Sequence, residues 1–194
     1  MIANAKTNAH LHRDFAAISA GTSSGMPVID PLILPSQVFS GQLVLWIGDL
    51  EVHLIEANIH SDDATVLWLP KDRILLAGDT VEDCVTYVGE PEHFATHLVD
   101  LDRLAALEPA FVLPNHGAAA RIAAGGYDAR ILPAMQGYVG WLMGLRVAPG
   151  LGNTSLREVI AEDLASGVLE WFAPYVAIHQ QNVKRTSAHY AAHG

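Results

Sequence analysis

Val52-His53-Leu54-Ile55-Glu56-Ala57-Asn58-Ile59-His60-Ser61-Asp62-Asp63, then Arg73-Ile74-Leu75-Leu76-Ala77-Gly78-Asp79-Thr80, then Ala110-Phe111-Val112-Leu113-Pro114-Asn115-His116-Gly117 repeat one pattern within Val52–Gly117. Each is a short apolar run that ends in a side chain able to bind a metal. Runs of this length bounded by Gly, Pro and Asp read as buried strands, not helices. In open sheets, ligands gather at strand ends, where loops bring side chains from several strands together. Two imidazoles (His60, His116) and a carboxylate (Asp79) are donors that suit zinc, iron or manganese.

The rest of the composition narrows the class. At 194 residues the chain can bury one good core, and at 51% hydrophobic with 16% charged it is not a disordered sequence. Eleven Lys+Arg against 21 Asp+Glu leave a formal charge of −10, which repels a phosphate backbone and argues against nucleic acid as a partner. The single Cys84 excludes an internal disulfide framework and a cysteine-rich zinc site, and reads as a small buried or semi-exposed thiol. Met1–Asn8 does not read as a signal peptide, and no run approaches the roughly 18–20 apolar residues of a membrane span. The expectation is a soluble, cytoplasmic protein with a small-molecule substrate and no membrane partner.

Outward from the central stretch, the pattern predicts a mixed α/β chain. Leu11, Phe15 and Ile18 make a helical stripe over Thr7–Ala20, Gly21–Pro27 is a loop, and Val28–Gln37, with Pro31 and Pro35, is extended. Leu43–Ile47 and Glu51–Ile55 flank Gly48-Asp49 as a tight hairpin, and Thr65–Leu69 and Arg73–Ala77 follow as strands. The middle two of these four strands are almost wholly apolar and are expected to be buried on both faces. Pro91 opens a helix to about Leu107, with Phe94, Leu98, Leu101, Leu104 and Leu107 on one stripe. Ser155-Leu156-Arg157-Glu158 is a capping box for a helix to about Phe172, and Tyr175–Tyr190 is a last helix. No repeat or linker marks a second domain: 1–194 reads as one unit, strand-rich over 1–117 and mostly helical over 118–194.

The order His60-Ser61-x-x-Ala64, Trp68-Leu69-Pro70, Leu75-x-Ala77-Gly78-Asp79-Thr80 and Leu113-Pro114-Asn115-His116-Gly117 resembles the second half of a metallo-β-lactamase-fold hydrolase. The resemblance covers Val38–Gly117 well and the helical tail only in general character. It implies an αββα sandwich in which His60 binds a first metal, His116 a second, and Asp79 bridges the two. It also implies hydrolysis of an ester, thioester, lactone or lactam by metal-activated water, with zinc, or else iron or manganese, as the cofactor. An aspartate, not a cysteine, at position 79 suits the glyoxalase II-like and lactonase-like branches.

The family's other ligand motif, H-x-H-x-D-H, has only a partial match in His10-Leu11-His12-Arg13-Asp14-Phe15, which lacks the fourth ligand. Met1-Ile2-Ala3-Asn4, Thr7 and Leu11 fit better as the strand and helix that follow that motif. His10, His12 and Asp14 are then helix surface, and the chain reads as N-terminally truncated. The competing function is accordingly a degenerate, non-catalytic module with an uncovered apolar sheet edge and a tendency to form a homodimer. Asp62 and Asp63 read equally as partners that orient an imidazole or as a solvated turn, His93 and His97 as an exposed pair, and Trp46, Trp68, Trp141 and Trp171 as core.

Overall fold

The computed structural model describes residues 1–23 and 28–193, so part of the loop expected over 21–27 lies outside the described residues. In chain order the elements are β1 (Ile2–Asn4), α1 (Ala5–Ser19), β2 (Gln37–Phe39), β3 (Gln42–Ile47), β4 (Leu50–Ile59), β5 (Ser61–Leu69) and β6 (Ile74–Gly78). After a 3₁₀ turn at Pro91–His93 come α2 (Phe94–Ala105), β7 (Phe111–Pro114), α3 (Ala119–Ala123) and α4 (Ile131–Gly144). A second 3₁₀ turn at Pro149–Asn153 leads to α5 (Leu156–Val159), α6 (Ala161–Ala165) and α7 (Tyr175–His193).

The main sheet runs β3-β4-β5-β6-β7, antiparallel except for the parallel pair β6 and β7. Ile47 pairs with Leu50 across Gly48-Asp49, and Gly48 sits at φ 61°, the positive value this tight turn demands. β1 and β2 form a separate parallel pair. The buried Asn4 caps α1 by accepting from the Thr7 amide at 2.8 Å, while its own amide donates to the Asp63 carbonyl at 2.6 Å and Thr65 Oγ1 at 2.9 Å. One side chain thus starts α1 and ties it to β5.

The core lies between one face of the sheet and the helices behind it. Ile55, Val66, Trp68, Leu75, Ala77 and Val112 point into it from the strands, Phe94, Leu101 and Leu104 from α2, and Ile131, Met135 and Leu142 from α4. Each of the Val, Leu, Ile, Phe and Met side chains among them contributes about 1.5–3 kcal/mol by leaving water. The α2 stripe follows the predicted spacing, with Leu98 and Leu107 half-buried at its margins.

Several expectations are corrected here. β4 and β5 are not buried on both faces: Val66 and Trp68 are buried, but Thr65, Leu67 and Leu69 on the opposite face are only half-buried. Both strands also run longer than predicted and meet at His60. Trp46 is not core but 65% exposed, because β3 is the sheet's edge and, among the described residues, pairs only with β4. The capping box at Ser155 and Glu158 forms, yet its helix breaks at Ile160 (φ −105°, ψ 21°) and ends at Ala165. His97 is fully buried beneath α2, 5.7 Å from the Phe94 ring, because the helix turns it inward beside the stripe. Trp68 is buried as expected, Cys84 takes the buried of its two readings, and Trp141 and Trp171 pack half-buried against the core.

Candidate metal centre

His60 is the one residue between β4 and β5, where Ile59 pairs with Ser61, and it takes φ 70° to make that turn. A non-glycine residue held there is strained, and such strain collects at sites that do chemistry. The Nδ1–H of His60 donates to the Tyr87 carbonyl at 3.1 Å, which makes Nε2 the lone-pair nitrogen. Asp79 follows β6 directly. The Thr86 hydroxyl donates to its carbonyl at 2.8 Å, and the Asn115 amide donates to the Gly78 carbonyl at 2.9 Å, so the ends of β6 and β7 are locked side by side. His116 follows β7, and its carbonyl accepts from the Asp83 amide at 3.2 Å. Gly117 is required next: a Cβ there would lie 2.6 Å from the Tyr127 hydroxyl.

All three predicted residues line one cavity of about 350 Å³, with Glu82, Tyr87 and Tyr175 on its other walls. His116 Nε2 stands 3.4 Å from Asp79 Oδ1. That oxygen is sealed from solvent and has no hydrogen-bond partner, although the Asp79 side chain as a whole is 37% exposed. A buried carboxylate oxygen without a donor is costly and is a place a cation would satisfy. The donor chemistry therefore fits a divalent metal. Among the described residues, however, His60, Asp79 and His116 are not the set whose ligand atoms all lie within 4.8 Å of one another.

The set that does meet that distance is His10, Asp62 and Asp63, which spacing along the chain could not reveal. His10 lies half-buried on α1, with Nε2 3.5 Å from Asp62 and Nδ1 3.6 Å from Asp63. Asp63 also accepts from the Ser61 and Thr7 hydroxyls, so these two aspartates hold α1 against β5 instead of orienting His60. His12 is exposed and Asp14 pairs with Arg13 at 2.7 Å. The partial H-x-H-x-D match is thus helix surface for His12 and Asp14, and for His10 a contact with the β4–β5 turn.

Glu82 is the wall residue that sequence reasoning misses. Its carboxylate is buried, accepts from the Tyr175 hydroxyl at 2.7 Å and from the Tyr87 amide at 3.5 Å, and comes within 3.7 Å of His60 Nδ1. Burial pushes its pKa up, and the Tyr175 bond only partly opposes this. Asp83 is pushed up by burial in the same way while accepting from the Tyr127 hydroxyl and the Glu170 amide. The sequence signal for it is an acidic pair, Glu82-Asp83, set between Val81 and Cys84-Val85. From α7, Asn182 accepts from the Val88 amide and donates to the Thr86 carbonyl, so the C-terminal helix fastens the loop that carries Asp79, Glu82 and Tyr87.

No protein-family model and no curated protein matches the chain. Solved structures do. A metallo-β-lactamase family protein from Thermus thermophilus aligns over 97% of this chain and 61% of its own length, at 16% identity and a TM-score of 0.50. The DIM-1 metallo-β-lactamase aligns over 72% of this chain and 55% of its own, at 21% identity and a TM-score of 0.49. A metallo-β-lactamase from Pontibacter korlensis aligns over 68% and 61%, at 19% identity and a TM-score of 0.45. The chain spans little more than half the length of these structures. On the topology described above and the Thermus alignment, this chain carries the metallo-β-lactamase fold.

Proposed function

We propose that the chain is a metal-dependent hydrolase acting on a small ester, thioester, lactone or lactam, with zinc as the metal or else iron or manganese. His60 and His116 would be the outer ligands and Asp79 the one between them. The observation that supports this most strongly is the sealed, unpartnered oxygen of Asp79 facing His116, in the cavity that His60 also lines. When bound, a divalent metal supplies the acidity that readies water as a nucleophile near neutral pH and polarises the scissile carbonyl. The chain's own residues prepare for that role. Tyr87 orients the His60 ring by accepting its Nδ1–H at the backbone carbonyl, which leaves Nε2 as the nitrogen for a metal. The Asp83 amide and the close packing at Gly117 hold the His116 turn.

Metal analysis after equilibration with zinc, with turnover of p-nitrophenyl acetate alongside, tests the reading. The parent should retain zinc, and Asp79→Ala should bind it more than about 100-fold more weakly, since even partners behind a ligand are worth about 10–100-fold. A parent that holds no zinc, iron or manganese would contradict it.

One observation favours a second reading, an interaction module. The edge strand β3 exposes Val44, Trp46 and Ile47, the last two at 65%. An apolar edge with unpaired backbone groups is a template for another strand, and a second copy of this chain offers the same strand to pair with.

A further inference from the structure

A second cavity, of about 400 Å³, lies along another face of α7 and shares no lining residue with the metal centre. Tyr175 and Ile178 line the metal centre, whereas Val176, His179 and Val183 line this one. Residues 152–157 and Trp171 supply the facing walls. Buried hydrogen bonds fix the floor. The His179 Nε2–H donates to the Thr154 carbonyl at 3.1 Å, and Nδ1 accepts from the Tyr138 hydroxyl at 3.1 Å. That hydroxyl oxygen accepts in turn from the Asn182 amide at 3.2 Å. Both imidazole nitrogens are engaged, so His179 shapes the cavity and leaves ligand binding to its neighbours.

Those neighbours are cationic. Arg157 and Lys184 line the cavity, and no aspartate or glutamate does. The next residue in sequence, Glu158, is taken up by the helix cap, where it accepts from the Ser155 amide at 2.9 Å and hydroxyl at 2.6 Å. Arg103 and Arg130 pair with aspartates and Arg121 donates to a carbonyl, whereas among the described residues neither Arg157 nor Lys184 has such a partner. Arg157 instead lays its guanidinium over the Trp171 ring, 4.0 Å from the centroid. Stacking of this kind restrains the planar fork and leaves its edge N–H donors free. In a chain of formal charge −10, two such cations around a cavity with apolar walls favour an anion there.

We propose that this cavity binds a small aromatic carboxylate. A guanidinium fork pairs with a carboxylate through two parallel charge-assisted bonds, and Lys184 adds a second positive charge. The ring of the ligand would sit among Leu156, Trp171, Val176 and Val183. A volume of about 400 Å³ admits a molecule of one or two rings. An amine of the same shape would meet two like charges and no carboxylate. The assignment does not rest on the metal reading, and either can fail alone.

Isothermal titration calorimetry of the full chain with 2-naphthoate, 2-naphthamide and 2-naphthylmethylamine tests it. The protein is first stripped with EDTA, so that no metal captures the carboxylate elsewhere. Naphthoate should bind about tenfold or more tighter than the neutral amide, with the amine weakest. Arg157→Met and Lys184→Met should each weaken naphthoate about fivefold or more and leave the amide unchanged, which also shows that the variant is folded. If Arg157→Met does not fold, Lys184→Met, at an exposed position on α7, decides together with the parent's ranking. Equal binding of the three probes, the amine tightest, or naphthoate binding that the folded variants leave intact overturns the proposal.

Discussion

His97 shows most plainly how a single residue departs from its surroundings. Both of its ring nitrogens are buried without a hydrogen-bond partner, under a helix that otherwise sends Phe94, Leu101 and Leu104 into the same core. Burial lowers its pKa from 6.5 to about 4, chiefly because the charged ring would be out of water. Since the folded value lies below the unfolded one, the unfolded chain takes up the proton first as pH falls. Stability is lost between about pH 6.5 and pH 4, at roughly 1.4 kcal/mol per unit. His97→Leu should therefore raise stability at pH 7.5 by about 1–3 kcal/mol, the cost of unmet buried polar atoms. It should also flatten the acid slope. Urea melts at pH 7.5 and pH 5 check both, and a less stable variant, or an unchanged slope, would show that the nitrogens are satisfied in solution. Glu82 and Asp83 have raised pKa values and act in the opposite sense, so the difference between parent and variant isolates His97.

At the scale of elements, each candidate ligand owes its place to a strand end. His60 closes β4 onto β5, while Asp79 and His116 leave the parallel pair β6 and β7 together. That much is legible in the sequence, because apolar runs stopped by Gly, Pro or Asp announce where a strand ends and what side chain it delivers. Glu82 and His10 are not legible. Both are placed by elements distant in sequence, α7 in one instance and the β4–β5 turn in the other, and short-range pattern carries no trace of such packing. Trp46 fails for a related reason. An edge strand and an inner strand read alike in hydropathy, and only the sheet order tells them apart. The edge makes its own prediction. Light scattering over a range of concentrations should show self-association in the parent and a monomer in Trp46→Lys, since a charge on an edge blocks strand addition. A parent that stays monomeric throughout removes the interaction reading.

The five-stranded sheet has α2 and α4 packed behind its core face, and α7 reaches back to fasten the loop of the site. α/β class, strand order through the ligand positions and the helical tail are all visible in hydrophobic period and punctuation. The breaks in the helical half are less so, because Ile160 interrupts a continuous helical pattern without any Gly or Pro. Among the described residues no helix is long and apolar enough to cross a membrane. What unites these scales is that one turn and two strand ends line a single cavity, in which one Asp79 oxygen is sealed from solvent without a hydrogen-bond partner. A crystal of the parent soaked in zinc, with diffraction recorded at the zinc edge, addresses that most directly. An anomalous peak about 2.0–2.2 Å from an Asp79 oxygen, with His60 or His116 as a further ligand, is the result expected. A peak only at His10, Asp62 and Asp63, or none at all, would contradict the account.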